Sequence, residues 1–304
     1  MKKGSRIKSF WLVATVAAVS LTLVACGSSN SGGDGGEGKS VIFGVVEGWT
    51  DQTSTTALLS VILQDNGYTT KTIEVSDNDP LYKGLAEGKV DVLSSSWLEQ
   101  THEYYWDKYG KDITDLGTYY EGAADYLAAP TYSDLESISD LPAHAAELNH
   151  QIIGIEPGAG LTRITKDSVI PAYGLTDFNL VLSTTDSMIK KLREATEAKQ
   201  PIVVTLWRPF WANDAFPVRP LKDPKGAYGS PEGLHPVASK KFAASHPEVA
   251  NMLAHFTLTD RQYETLEATL VNDFPKRQRQ EGARAWLKAN PGFEDQLASY
   301  LKKQ

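Results

Sequence analysis

The sequence predicts an α/β protein of two lobes, each a mostly parallel sheet flanked by helices. The first observation is a strand–helix–strand–helix–strand pattern between residues 41 and 94, and the second is a similar pattern between residues 152 and 206. Such alternation is typical of parallel sheets with helices on both faces. The third observation is length, since about 265 residues follow residue 39, enough for two lobes of ordinary size.

The individual elements follow from apolar runs and from helical spacing of apolar residues. The predicted elements are, in order, strand 41–46, helix 54–66, strand 70–75, helix 80–87, strand 90–94, strand 152–155, helix 162–173, strand 178–182, helix 186–197 and strand 202–206. Gly67 is typical of the residue that follows a helix end. The tail from Pro236 to the end is expected to be helical and to pack on the first lobe, because its apolar residues recur at helical spacing.

The first residues are typical of a secretory signal over 1–25. Four basic residues within positions 2–8 precede an uncharged apolar stretch over 10–25, which is shorter than a membrane span of about 20 residues. The stretch ends in Leu23-Val-Ala-Cys-Gly27, which resembles a bacterial lipobox. The resemblance implies that Cys26 is lipidated and begins the mature protein. The alternative is an ordinary signal peptide with an incidental cysteine. Cys26 is the only cysteine, so no intramolecular disulfide is possible.

The organisation after the signal is a tether followed by two lobes. Residues 26–39 are rich in glycine and serine and predict a flexible tether that holds the protein at the outer face of the cell membrane. We expect one lobe to comprise 40–128 with about 232–304, and the other about 129–231. Removing the four basic residues of the signal from 30 leaves 26 against 38 acidic residues, a net charge of −12. Such a balance argues against nucleic acid and anionic lipid as ligands.

Three tryptophans stand at the ends of apolar strand-like runs. Trp49 follows the run at 41–46, Trp97 follows 90–93, and Trp207 follows 201–206. Ligand crevices of open α/β sheets form at the carboxyl ends of strands, and indole is the most effective aromatic face for a cation. The three rings therefore predict a cage for a ligand whose positive charge cannot be satisfied by hydrogen bonds.

Two further segments can supply the opposite charge. The glycine-rich turn 154–162 joins a predicted strand to a predicted helix, so its backbone N–H groups can face an anion, although it can equally be a plain turn. It lacks the lysine of a P-loop and the third glycine of a dinucleotide fingerprint. His102 follows Trp97 by five residues and can face the same crevice, although a surface position is the alternative. The other histidines show no metal-ligand spacing.

Together these residues resemble the glycine betaine and proline-betaine type of substrate-binding protein of ABC importers, from about Val41 to the end. The motifs that carry the resemblance are Gly48-Trp-Thr-Asp51, Trp97-Leu-Glu-Gln-Thr-His102, Gly154-Ile-Glu-Pro-Gly-Ala-Gly-Leu161, Trp207-Arg-Pro-Phe-Trp211 and Asp223-Pro-Lys-Gly226. The resemblance implies a two-lobed periplasmic-binding-protein-like fold (type II) with the ligand between the lobes. It also implies delivery of glycine betaine to an ABC transporter permease, without a cofactor, a metal or catalysis.

In that family three indoles enclose the trimethylammonium group, and two backbone amides and a histidine bind the carboxylate. The resemblance places these roles on Trp49, Trp97 and Trp207 for the cation, and on Gly160, Leu161 and His102 for the anion. Two positions depart from the family pattern. Phe210 stands where histidine is common, and Glu99 stands where proline is common. Both departures leave the identity of the betaine open.

Two alternatives remain open at this point. The ligand of the same fold can be choline, carnitine, an amino acid or another small zwitterion. A different class is a secreted carbohydrate-active enzyme that stacks sugars on the tryptophans and uses two carboxylates across a cleft. The carboxylates near the predicted loops are Glu47, Asp51, Glu99 and Glu156.

Overall fold

A computed structural model describes residues 38–274 and 276–302. The predicted signal peptide over 1–25, the lipidation site Cys26 and most of the predicted tether lie outside these described residues. Within them, no helix is both long enough and apolar enough to cross a membrane.

Ten strands form one sheet in the described part of the chain. Their bounds are β1 Ser40–Val46, β2 Thr69–Val75, β3 Val92–Ser96, β4 Ile113–Asp115, β5 Tyr120–Pro130, β6 Gln151–Ile153, β7 Asn179–Val181, β8 Val204–Arg208, β9 Val218–Pro220 and β10 Glu232–Ser239.

Twelve α-helices accompany this sheet between residues 38 and 302 of the described chain. Their bounds are α1 Thr50–Asp65, α2 Asn78–Ala86, α3 Glu103–Tyr109, α4 Gly160–Ile164, α5 Ile170–Ala172, α6 Thr185–Glu197, α7 Ala212–Ala215, α8 Lys240–Ser245, α9 Pro247–Ala254, α10 Asp260–Ala268, α11 Arg279–Ala289 and α12 Phe293–Ala298. A π-helical turn, Thr165–Val169, joins α4 to α5, so the helical stretch that begins at Gly160 continues to Ala172.

The sheet consists of two halves, which give the two lobes of the fold. The strand order is β2-β1-β3-β10-β5-β8-β6-β7, with β4 beside β10 and β9 beside β5. In the first half β1 pairs in parallel with β2 and β3, and in the second half β6 pairs in parallel with β7 and β8. These are the two predicted strand–helix–strand–helix–strand units, so the predicted α/β architecture is confirmed.

The long antiparallel strands β5 and β10 join the two halves and were missed by the sequence analysis. β10 pairs with β3, β4 and β5, and β5 continues into the second half by pairing with β8 and β9. The predicted helical tail therefore begins at Lys240 rather than at Pro236, because residues 236–239 belong to β10. Pro236 is tolerated in a central strand because the register shifts between His235 and Val237, where a missing N–H is not needed.

Helix α1 also departs from the helix predicted over 54–66. It begins at Thr50 rather than near 54, and every residue from Thr50 to Leu63 is buried. Its polar side is covered by β3, where the Thr55 and Thr56 hydroxyls lie 2.8 and 2.7 Å from the Ser94 hydroxyl. Gly67, with a φ of 83°, follows the end of the helix as predicted. The apolar side of α1 is thus free to pack against the tail.

The tail helices pack on the first half of the sheet through α11, as predicted. Helix α11 lies against α1, and Arg284 binds both carboxylate oxygens of Asp65 at 2.6 and 2.9 Å. Trp286 is buried, donates its indole N–H to the Thr265 hydroxyl at 3.0 Å, and meets the Phe293 ring edge-on at 5.0 Å. Trp286 is therefore the main anchor of the tail.

We expect Trp286→Ala to lower the free energy of unfolding by about 3–5 kcal/mol, because a large buried side chain leaves a cavity. Chemical denaturation measures this loss. The matched control is Tyr104→Ala, because Tyr104 is 53% exposed and its removal should change stability by less than about 0.5 kcal/mol. Equal losses of unfolding free energy in the two variants would contradict the role of Trp286 as the main anchor of the tail.

Candidate functional site

The three predicted tryptophans line one cavity between the two halves of the sheet. Trp49 lies between β1 and α1, Trp97 directly follows β3, and Trp207 lies inside β8, one residue before its end rather than beyond it. Each ring is at most 6% exposed. The space between the lining atoms is about 310 Å³, part of it open to solvent. Its lining comprises Trp49, Asp51, Trp97, Thr101, His102, Asp125, Ile155, Ala159, Gly160, Leu161 and Trp207.

All six residues predicted to bind a ligand therefore meet at this cavity, although they come from four separate segments. The structure adds three polar residues to the prediction, Asp51, Thr101 and Asp125, and among the lining residues of the described chain there is no lysine or arginine.

Buried carboxylates orient two of the three rings. The Trp49 indole N–H donates to Glu156 Oε2 at 3.0 Å, and the Trp97 indole N–H donates to Asp51 Oδ2 at 3.3 Å. Trp207 is held differently, because Phe210 stacks on it with ring centroids 3.9 Å apart. Phe210, one of the two positions that depart from the family pattern, thus forms an aromatic wall behind the third ring.

Glu156 links the two halves of the sheet. It follows β6 in the second half, while Trp49 follows β1 in the first. Besides the Trp49 indole, Glu156 accepts from the Thr185 backbone N–H at 2.7 Å and from the Thr185 hydroxyl at 2.9 Å. With only 4% of its surface exposed, Glu156 fixes the Trp49 ring from the opposite half.

The glycine-rich turn approaches the first half so closely that a side chain would not fit. A Cβ at Gly160 would lie 1.8 Å from the Thr101 carbonyl oxygen. Gly160 and Leu161 begin α4, so their N–H groups have no partner within the helix and are available at the cavity. The Tyr105 hydroxyl donates to the Gly158 carbonyl at 2.7 Å, which also joins the two halves.

His102 forms the floor of the cavity and is fully enclosed. Its Nδ1 accepts from the Trp97 backbone N–H at 3.2 Å and lies 3.0 Å from the Tyr82 hydroxyl, so the ring proton belongs on Nε2. Nε2 lies 3.0 Å from the Asn78 amide nitrogen, and among the described residues the oxygen of that amide has no hydrogen-bond partner. Rotating that amide would let Nε2–H donate to the oxygen. Burial, and to a smaller extent Arg163, lower the pKa of His102 to about 3, so the imidazole is neutral.

Two carboxyl groups border the cavity in different surroundings. Burial raises the pKa of Asp51, but hydrogen bonds from the Ser95 hydroxyl, at 2.8 Å, and from Trp97 oppose that shift. Burial raises the pKa of Asp125 to about 8, with a smaller contribution from the charge of Glu232. Asp51 therefore has donors for an ionised form, whereas Asp125 is neutral near pH 7.

The four carboxylates considered for a carbohydrate enzyme hold structural contacts. Glu47 lies 3.5 Å from the Lys276 amine, and Glu99 lies 3.0 Å from His235 Nε2. Asp51 and Glu156 accept indole N–H groups. Among the described residues, no group of three or more potential ligand side chains could hold a metal ion.

Several of these contacts had only weak signals in the sequence. Asp51 and Glu156 stand inside the quoted motifs, but nothing in the sequence pairs either of them with an indole N–H. Asp125 lies within β5, a strand that the sequence analysis did not predict.

A two-lobed α/β fold with a small aromatic cavity between its halves defines the class of solute-binding proteins that serve ABC importers. Residues 39–289 match the family described as "Substrate binding domain of ABC-type glycine betaine transport system", and the chain belongs to that family.

Known relatives are consistent with this membership. The glycine betaine/carnitine transport binding protein GbuC of Listeria monocytogenes is 36% identical over 149 residues, an alignment that covers 48% of this chain and 48% of that protein. The match thus spans about half the length of this curated relative.

Solved structures resemble most of the chain. Lactococcal OpuAC, crystallised in a closed conformation with glycine betaine, has a TM-score of 0.79 and 29% identity over 87% of this chain and all of that one. The ProX protein of Borrelia burgdorferi has a TM-score of 0.78 and 26% identity, with the same coverage. A choline-binding protein in complex with choline has a TM-score of 0.77 and 26% identity over 86% of this chain and 91% of that one.

We expect Gly160→Ala to fold normally but to lose at least tenfold in ligand affinity, because its methyl group would collide with the Thr101 carbonyl only when the halves are together. Thermal unfolding and ligand titration measure the two effects separately. Gly38→Ala is the control, since a Cβ at Gly38 meets nothing within 4 Å. Undiminished affinity in Gly160→Ala would contradict the close approach.

Proposed function

We propose that the protein captures a quaternary-ammonium compound at the outer face of the cell membrane and delivers it to an ABC transporter permease. Glycine betaine is the first candidate ligand. The observation that carries the proposal is the meeting of three buried indoles in one small cavity. Lipidation of Cys26 and the tether that follows it would keep the protein at the membrane, as the lipobox resemblance implies.

The aromatic cage suits a cation that lacks N–H groups. Such a cation cannot form hydrogen bonds, so a ring face can compensate its charge without the large cost of burying another ion. At about 1–2 kcal/mol for each desolvated ring, three rings contribute about 3–6 kcal/mol. Carbohydrate stacking would use the same rings, but their enclosure at 6% exposure or less leaves little room for a sugar chain.

The opposite side of the cavity supports a carboxylate. The free N–H groups of Gly160 and Leu161 can donate to it, and neutral His102 can donate from Nε2 if the ligand takes the place of the Asn78 amide. Charge-assisted hydrogen bonds of this kind contribute about 1.5–3 kcal/mol each. After the costs of association, a dissociation constant of roughly micromolar order is expected.

Choline is a second candidate because two carboxyl groups border the cavity, and no lysine or arginine is among its described lining residues. Asp51 can attract a net positive ligand, and Asp51 or Asp125 can accept a hydrogen bond from its hydroxyl group. The crystallised choline-binding protein has a similar overall fold, with a TM-score of 0.77.

Titration calorimetry with glycine betaine, proline betaine, carnitine and choline tests the proposal. We expect heat from at least one of them, and Trp207→Ala should weaken its binding more than tenfold because one ring of the cage is lost. Trp106→Ala is the matched control, since Trp106 is partly buried outside the cavity and should leave affinity unchanged. Folded protein that binds none of the four compounds would end the proposal.

His102→Ala should weaken glycine betaine binding at least tenfold and change choline binding much less, because only the betaine has a carboxylate. Since the pKa of His102 is about 3, betaine affinity should show no step near pH 6.5, the ordinary histidine value, between pH 5 and 7. Affinity measured by tryptophan fluorescence at several pH values checks both points. Unchanged betaine affinity in His102→Ala would remove His102 from the carboxylate site.

A further inference from the structure

One hydroxyl group at the edge of the cavity lies between two carboxyl groups. Thr101 Oγ1 is 3.0 Å from Asp125 Oδ2 and is also hydrogen-bonded to Glu232 Oε1. A threonine hydroxyl has a single proton and can donate to only one of them. If both acids were ionised, one carboxylate would face the hydroxyl oxygen without a proton between them. Before a cation enters the cavity, one of the two carboxyl groups therefore holds a proton.

The remaining hydrogen bonds assign that proton to Asp125. Glu232 accepts from the backbone N–H groups of Gln100 at 3.1 Å and of Thr101 at 3.2 Å, and such donors favour a carboxylate. For the Asp125 side chain, Thr101 Oγ1 is the only hydrogen-bond partner among the described residues. The arrangement is therefore Asp125 O–H donating to Thr101 Oγ1, and the Thr101 hydroxyl donating to Glu232.

The charges around Asp125 agree with this assignment. Burial contributes most to raising the pKa of its carboxyl group to about 8, and the charges of Glu232 and Asp51 add to the rise, while the Thr101 hydroxyl and the charge of Arg163 oppose it. The hydroxyl groups of Tyr126 and Tyr228, also close by, are neutral at this pH because burial raises their pKa values. Asp125 keeps some accessible surface where it borders the cavity, so a ligand can reach it.

We propose that Asp125 releases this proton when a cation without its own carboxylate, such as choline, enters the cavity, and keeps the proton when a betaine enters. This inference rests on the proposed binding of quaternary-ammonium compounds. Choline adds one positive charge to a poorly hydrated cavity where His102 is neutral and Asp51 already has two donors. An ionised Asp125 supplies the missing countercharge, whereas glycine betaine carries its own.

The released proton has a route to solvent. The Asp125 O–H bond breaks as its proton moves to Thr101 Oγ1, while the Thr101 proton moves to Glu232, which passes it to water at its 7% exposed edge. Thr101 is unchanged at the end, and one negative charge remains on Asp125. Binding is then an exchange of one organic cation for one proton.

The exchange predicts different pH behaviour for the two ligands. At pH values below the pKa of free Asp125, choline affinity should increase by up to about tenfold for each unit by which the pH is raised, because one proton leaves for each choline bound. Glycine betaine affinity should stay nearly constant over the same range. Asp125 thus sets which ligand is preferred at a given pH.

Titration calorimetry at pH 7 in two buffers of different ionisation enthalpy counts the protons. We expect about one proton released per choline and close to none per glycine betaine. In Asp125→Asn the release on choline binding should vanish, together with the pH dependence of choline affinity. Glu267→Gln is the matched control, because burial raises the pKa of Glu267 to about 8 as well, but Glu267 does not border the cavity. This variant should still release the proton.

The outcomes separate this inference from the proposed function. Choline binding without proton release, or release that disappears in Glu267→Gln and persists in Asp125→Asn, overturns the inference and leaves the function intact. Glycine betaine binding without choline binding between pH 6 and 9 also overturns it. Binding of neither compound overturns both. Because the proton count of the unmodified protein is decisive, the test does not depend on the folding of Asp125→Asn.

Discussion

The site depends on one hydrogen bond, from the Trp49 indole N–H to Glu156, that joins the two halves of the sheet. It fixes a ring of the first half by a carboxylate of the second, and the carboxylate is itself held by Thr185. The close approach of Gly160 to Thr101 brings the free amides of α4 to the same place. Because Trp207 belongs to the second half, all three rings meet only when the halves are together. Under the proposed function, assembly of the cage and closure of the cleft would therefore be one event.

The hydrogen bond between an indole N–H and a buried carboxylate has two favourable effects, one on the carboxylate and one on the ring. A buried carboxylate without donors would carry a large desolvation cost, and the indole N–H groups meet part of that need for Glu156 and Asp51. A nearby negative charge also makes a cation on the ring face more favourable, since attraction is stronger in a poorly hydrated site. Among the described residues no carboxylate accepts from the Trp207 indole, and the stacked Phe210 ring supports it instead. The cage thus combines two ways of supporting an aromatic wall.

The sequence was sufficient for the parallel strand units and for the residues that form the cage. The apolar runs that end at Trp49, Trp97 and Trp207 are local signals, and so is the glycine turn. Contacts between distant segments were not predictable in this way, because Trp49 and Glu156 are 107 positions apart. Strand β10 contains glycine, histidine and proline, so its pattern did not resemble a strand, and β5 was missed with it. The Asp125–Thr101–Glu232 arrangement depends on both missed strands.

A crystal structure of the protein with glycine betaine would show whether rings from both halves enclose the ligand. We expect the trimethylammonium group within about 6 Å of the ring centroids of Trp49, Trp97 and Trp207, the distance over which a ring attracts a cation. We also expect that the Trp49–Glu156 hydrogen bond remains and that the carboxylate contacts the amides of Gly160 and Leu161. A ligand bound outside this cavity, or held by fewer than three rings, would contradict a cage assembled from both halves.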